Sequence, residues 1–245
     1  PSVGMSAIFS KMLKLPKFVD FLKFRTSWAS VGSAISPNIS SAWRYEYIPS
    51  TGTYHTVTYK FPDNFYPERT NSLEAGVTAT LFKEALSVKF TLYQSNTKNQ
   101  TFLRQITLGG AYNREYIQAG NVRNRGLELT VGYNKKWTDS RWSVNMSYSM
   151  NHNRIVRLLD NPNETLRQGG LNGCEVILTQ GGTMGDLYTF TGFKRNQQGD
   201  IQVNADGQVM QIELPTPRLV GSVLPKAHLG LNNTFSWKGL ECRLL

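Results

Sequence analysis

The chain has 245 residues, of which 40% are hydrophobic and 11% aromatic, enough for one large β domain or two small domains. Its mean hydropathy is −0.36, and no apolar run of about eighteen residues could form a membrane helix; barrel strands, which need only about ten alternating residues, stay open. The net charge of +10, from 27 basic and 17 acidic residues, invites a nucleic-acid reading, but the lysines and arginines are scattered with no accompanying motif, so a solvated or anionic-lipid-facing surface is expected and no nucleic-acid partner.

The chain opens on Pro1 inside the alternating run PSVGMSAIF, with no charged and apolar leader, and reads as a piece of something longer. In FLKFRTSWAS, Leu22, Phe24 and Trp28 oppose Lys23, Arg25 and Ser27. Residues 41–61, SAWRYEYIPSTGTYHTVTYKF, predict a hairpin around Pro49-Ser50-Thr51-Gly52, with Trp43, Tyr45, Tyr47, Tyr54, Tyr59 and Phe61 on its arms. NSLEAGVTATLF sets Leu73, Ala75, Val77, Ala79 and Leu81 against Glu74, Gly76, Thr78 and Thr80, and LSVKFTLY sets Leu86, Val88, Phe90 and Leu92 against Ser87, Lys89, Thr91 and Tyr93. The longest example is residues 124–153, two period-two runs joined by Thr138, Asp139 and Ser140, with Leu127, Leu129, Val131 and Tyr133, then Trp142, Val144, Met146, Tyr148 and Met150, on one parity. DLYTFTGFKRNQQGDIQVNADGQV predicts a second hairpin with turns at Gln198-Gly199 and Asp206-Gly207, and KAHLGLNNTFSW a further strand. Period, length and β-branched or aromatic content make these strands, and no helical period competes.

The connections carry a second regularity. Short turns at 83–85, 138–140 and 238–239 alternate with long stretches at 33–69, 98–123 and 156–225, provided that 10–20 takes a turn-side place. An up-and-down sheet puts every second connection on the same side, and short turns opposite long loops mark a transmembrane barrel. Trp137, Trp142 and Trp237 flank the short turns on the apolar parity, where an interfacial girdle belongs. The apolar face is therefore expected against lipid and the small polar face around a lumen, with Lys23, Arg25, Glu74, Lys89 and Glu128 inward.

The runs PERTNSLEAGV (67–77), QAGNVRNRGLELTVGY (118–133), PSVGMSAIFS (1–10), FLKFRTSWASVG (21–32) and LPKAHLGLNNTFSWKGLE (224–241) resemble SusC/RagA-like TonB-dependent outer-membrane transporters of the Bacteroidota. The wording from Ala119 to Glu128 is shared widely among TonB-dependent receptors, and PER-T-x-S-x-EAG is characteristic of the SusC-like branch. The resemblance implies an all-β, antiparallel up-and-down barrel of about 22 strands with a plug. Residues 1–245 would supply one part of that barrel domain, seven complete strands and the start of an eighth, with extracellular loops at 33–69, 98–123 and 156–225. The plug domain and TonB box would lie outside this chain. It further implies import of a nutrient, a glycan or oligosaccharide ahead of an oligopeptide, together with a SusD-like lipoprotein and TonB. The competing expectation is a non-transporting structural or adhesive β-protein of the outer membrane.

No catalytic constellation emerges, and an enzyme is not expected. The histidines His55, His152 and His228 form no metal spacing, GGTMGD (181–186) lacks the lysine and hydroxyl residue of a phosphate loop, and Glu74 with Glu128, read as neighbouring inward positions, suits lumenal ion pairing better than acid/base work. Cys174 and Cys242 support no disulfide framework, and neither a metal nor a cofactor is expected. The sequons at Asn145 and Asn232 lie on strands and read as small polar residues of a lumen wall. The residues expected to meet substrate or partner are Trp43, Tyr45, Tyr47, Tyr54 and Tyr59, whose rings suit stacking on a sugar or anchoring a protein.

Overall fold

The computed structural model describes residues 1–34, 43–105, 113–171 and 173–245. Its main sheet is an open antiparallel wall built from β1 (Ser2–Ile8), β2 (Val19–Ser33), β5 (Glu68–Leu81), β6 (Leu86–Gln105), β7 (Arg114–Lys136), β8 (Ser140–Arg157), β13 (Ala227–Trp237) and β14 (Leu240–Leu244), paired in that order. One short helix, α1 (Phe9–Met12), lies in the β1–β2 connection. Because strand side chains alternate, the pairing register carries the sequence parity from strand to strand. Phe24, Val77, Phe90, Leu129, Tyr148 and Leu229 stand side by side in one row, and Lys23, Thr78, Lys89, Thr130, Ser147 and Gly230 occupy the neighbouring row on the other face. Among the described residues none covers the apolar face; Leu229 is 71% exposed. A soluble sandwich would bury such a face against a second sheet, so this one needs an apolar surrounding.

The tight turns of the wall among the described residues fall at one end. Phe82, Lys83 and Glu84, with φ of 58°, 56° and 65°, make the β5–β6 turn, residues 137–139 the β7–β8 turn, and Lys238-Gly239 the β13–β14 turn. Trp137, Trp142 and Trp237 gather at this end; the Trp142 indole donates to Asn233 Oδ1 at 2.8 Å. The β1–β2 connection lies at the same end, as the alternation of short and long connections requires.

The long connections differ from open loops. The stretch 98–123 is largely strand: β6 and β7 stay paired from Lys98–Asn121 up to Gln105–Arg114, and residues 106–112 lie outside the described residues. The alternation that marks the lower strands is interrupted where Asn99 and Gly120 take φ of 57° and 92°, so sequence period alone hides the continuation. Within 33–69, where 35–42 lie outside the described residues, β3 (Trp43–Ile48) and β4 (Thr53–Lys60) form the expected hairpin, turning at Gly52 with φ 67°. The 156–225 stretch, apart from Asn172, folds into its own four-stranded sheet of β9 (Leu166–Leu171), β10 (Cys174–Leu178), β11 (Asp186–Phe193) and β12 (Gln211–Ser222). The expected turns at Gly199 and Gly207 lie between β11 and β12, but β9 and β10 lack the strict alternation that exposes a strand to sequence reading.

A buried apolar core joins these parts. Phe102, Val122 and Ile155, at the upper ends of the wall strands, pack with Leu158, Leu166 and Leu178 of the inserted sheet. Val122 and Ile155 are cross-strand partners of polar-face parity, so the insertion folds onto that face. Burying each such side chain contributes roughly 1.5–3 kcal/mol.

Glycines on the polar face are filled by their neighbours. A Cβ on Gly126 would collide with the Tyr93 ring and the Met150 carbonyl oxygen; Tyr93 lies across this gap and its hydroxyl donates to Asn151 Oδ1 at 3.3 Å. Gly126→Val should therefore destabilise the folded barrel by about 1–3 kcal/mol, as overpacking does, with only partial recovery on adding Tyr93→Ala, because the Met150 carbonyl remains. Urea unfolding in lipid vesicles measures both. By the same assay Leu129→Arg, at the middle of the apolar belt, should cost about 2–4 kcal/mol, whereas Thr130→Arg on the opposite face should leave stability near the parent value.

Candidate functional site

Two groups of predicted residues come together in different places. On the polar face Lys23, Arg25, Lys89 and Glu128 line one depression of about 460 Å³ with Thr78, Thr91 and Thr130. Gly76 makes this possible: a Cβ there would stand 2.8 Å from Arg25 Nε, so the bare backbone of β5 lets Arg25 lie across it. Its guanidinium donates to Thr91 Oγ1 on β6 at 2.8 Å. Glu74 shares the face but sits opposite Tyr93, while Glu128 sits opposite Thr91. The expected neighbouring pair of carboxylates is thus separated by β6, and among the described residues neither forms an ion pair. The sequon residues Asn145 and Asn232 are cross-strand partners on this same face.

The β3–β4 hairpin sorts its aromatics by face. Trp43, Tyr45, Tyr47 and Tyr54 share one side, because Trp43 pairs with Thr58, Tyr45 with Thr56 and Tyr47 with Tyr54. They are 57%, 66%, 55% and 70% exposed, in edge-to-face contact at 5.4 Å for Trp43–Tyr45 and tilted contact at 5.2 Å for Tyr47–Tyr54. Tyr59 belongs to the other side and is 3% exposed, stacked on Tyr116, which stacks in turn on Phe61. The expectation that Tyr59 offers its ring to a ligand does not fit this burial. Its hydroxyl donates to Glu46 Oε1 at 3.2 Å, and burial, aided by Glu46, raises the phenol above its ordinary range.

Sequence reading missed the ion-pair lattice that fastens this region. Arg114 forks onto both oxygens of Glu46 at 2.6 and 2.8 Å, fixing β3 to the upper end of β7. Glu115 accepts from Lys60 at 3.0 Å and from Arg104, and Arg104 also reaches Glu164 at 2.6 Å. Arg104 and Arg114 line, with Arg167, Thr165, Gln168 and Glu175, an open cavity of about 730 Å³ beside the inserted sheet. The partners lie 11 to 68 residues apart in the chain, so no local motif announces them. Among the described residues no group of His, Cys, Asp or Glu is arranged to hold a metal, and Cys174 and Cys242 are free thiols.

Residues 2–239 match the family model described as TonB dependent receptor-like, beta-barrel. The chain belongs to this family. Its members are outer-membrane barrels, whose outward apolar faces meet lipid. Among curated proteins it is 23% identical over 204 residues to TonB-dependent receptor P3 of Formosa agariphila, covering 74% of this chain and 20% of that protein. It is also 24% identical to TonB-dependent receptor P26 of the same organism over 201 residues, 71% of this chain and 19% of that protein. Among solved structures it superposes on the RagAB peptide transporter with a TM-score of 0.74 and on the RagAB peptide importer in the closed-closed state with 0.73. Both matches have 18% identity and cover 99% of this chain and 28% of the matched chain. The chain thus spans about a fifth of the receptors it matches in sequence, and the superpositions show that it shares the fold of part of these transporter chains.

The lattice carries a pH signature. Burial pulls the Glu115 carboxyl upward, but hydrogen bonds from Lys60 and Arg104 outweigh it and hold the group below its ordinary value of 4.5. An acid lowered in the folded state contributes stability present above the unfolded pKa and lost as pH falls through the folded one. Backbone amides of 101–105 and 114–118 should therefore exchange faster as pH falls below about 4.5, after correction for intrinsic exchange rates, and Glu115→Gln should abolish that extra dependence while raising exchange at neutral pH.

Proposed function

We propose that this chain forms wall and crown of an outer-membrane importer energised through TonB, in which the β3–β4 hairpin meets a SusD-like lipoprotein lid and a glycan or oligosaccharide cargo, with oligopeptide the second cargo class. The observation that carries this reading is the exposed aromatic strip Trp43, Tyr45, Tyr47 and Tyr54. It stands at the end of the wall away from the tight turns, and it is held there by Arg114 and Glu46 rather than packed under other elements. Exposed rings of this kind stack on the apolar faces of sugars and anchor protein partners, with rigid side chains that lose little freedom on binding. The polar-face group of Lys23, Arg25, Lys89 and Glu128 supports a passage for polar solutes along the wall below. Family membership supports nutrient import as the overall activity, and localisation in the outer membrane follows from the same reading.

The test uses the receptor expressed from its intact gene in its own outer membrane. Trp43→Ala with Tyr45→Ala should lower lid retention in pull-down and uptake of labelled oligosaccharide at least about fivefold, the loss expected when about 1–3 kcal/mol of hot-spot contact is removed. The amount of heat-modifiable barrel should not change. Parallel loss of barrel and uptake would refute the role of the strip, and an intact gene without a plug and TonB box would favour the adhesive alternative. Charge reversal at Arg25 or Lys89 should lower uptake while leaving lid retention as it was.

A further inference from the structure

Beyond its apolar belt, at the end away from the tight turns, the outward face changes character. The last apolar row is Ala75, Leu92, Leu127 and Met150; two residues further comes Leu73, Gln94, Arg125 and His152, and then Asn71, Asn96, Arg123 and Arg154, with Arg69 and Lys98 above. Three cross-strand pairs set basic residue against basic residue: Arg69 with Lys98, Arg123 with Arg154, and Arg125 with His152. Like charges directly opposite destabilise a sheet. No acidic side chain occupies the outward positions of these rows, and among the described residues none of the six forms an ion pair. Five cations and a histidine therefore stand together without an ion-pair partner among the described residues; one acid, Asp160, shares a cavity with Lys98 but pairs with Arg157.

Their geometry is prepared rather than loose. Arg123 Nε donates to Asn96 Oδ1 at 2.8 Å and Arg125 Nε to Gln94 Oε1 at 2.6 Å. Each bond fixes the stem and leaves the two terminal nitrogens of the fork for a ligand, in the arrangement that suits bidentate contact with phosphate. The height is equally specific. Rows two and four residues past the last apolar one lie about 7 and 13 Å further along the strands, within or just above the headgroup layer that borders a hydrocarbon core. The side chains share parity with Leu127 and Met150, so they project toward the bilayer and not into the lumen.

We infer that this patch binds the phosphate groups of lipid headgroups in the leaflet surrounding the crown end of the wall. Charge complementarity and height argue for that one occupant: a soluble anion would gain nothing from a flat surface aligned with the apolar belt. The inference rests on the apolar belt lying in a membrane, and not on the identity of cargo or lid.

The receptor, expressed from its intact gene and purified in mild detergent, is titrated with phosphorylated lipid A, with the same lipid stripped of phosphate, and with inorganic phosphate; native mass spectrometry counts bound lipid. Phosphorylated lipid A should be retained and the stripped lipid should not. Arg123→Gln, Arg125→Gln and Arg154→Gln combined should weaken retention roughly a hundredfold, at about fivefold per cation near an anionic headgroup layer. Lys135→Gln with Lys136→Gln at the opposite rim should retain lipid like the parent. A triple Arg→Lys variant, which keeps the charge, separates loss of binding from loss of folding: it should bind within a few-fold of the parent. Equal retention by the triple Gln variant, equal retention of the stripped lipid, or displacement of the lipid by equimolar inorganic phosphate would each overturn the inference. Oligosaccharide uptake by the Trp43 and Tyr45 variant reads the proposed transport role separately.

Discussion

A strand that crosses hydrocarbon must find a partner for every backbone amide and carbonyl in a neighbouring strand, because no water is there to supply one. The rest of this molecule follows from that constraint. It selects a continuous ladder from β2 through β13, fixes the register, and turns a period-two sequence into two chemically opposite surfaces. The apolar rows need no packing partner within the protein, so side-chain burial, the usual source of tertiary stability, is nearly absent from the wall. Among the described residues it reappears where the strands rise clear of the belt: Phe102, Val122 and Ile155 meet the inserted sheet, and Val57 and Tyr59 of β4 are buried beside the upper end of β7.

The same constraint explains why the wall was readable in sequence and the crown was not. Within the belt a residue's environment depends on parity alone, so Leu127 to Tyr133 or Trp142 to Met150 declare their faces one residue at a time. Lys23, Arg25, Lys89 and Glu128 could be assigned to one face by counting, and their convergence on one depression follows from register plus Gly76. Above the belt water returns, and each residue answers to partners far along the chain. Tyr59 shows the cost: it matches its neighbours in kind, but one step of parity sends it into a stack with Tyr116 beneath Arg114 and Glu46. Asn99 and Gly120 likewise bend the ladder without ending it, which period-two counting cannot distinguish from a loop.

The glycines of the recognisable family words now have physical reasons. Gly76, in the EAG wording, clears a path for Arg25 across β5, and Gly126, in the N-R-G-L-E wording, receives the Tyr93 ring. In each case the missing side chain is replaced by one from an adjacent strand. The polar face thereby gains both lateral stiffness and depressions in which polar groups converge. A motif that reads as a strand signature is, on this view, a pattern of vacancies filled from next door.

The connection between β8 and β13 spans residues 158–226, about twice the 34–67 connection between β2 and β5. A structureless loop of that length would raise the entropy cost of bringing its two strands together, by about 0.6 kcal/mol for each doubling. Here the ends are already joined. Ile155 and Gly181–Gly182 exchange backbone hydrogen bonds, Asn153 accepts from Met184, and Val223 donates to Gly185, each at 2.8 or 2.9 Å. The inserted sheet acts as a fastener rather than a tether: once folded it holds the start of β13 beside the end of β8. The pairing of largest sequence separation along the wall then closes like a local hairpin.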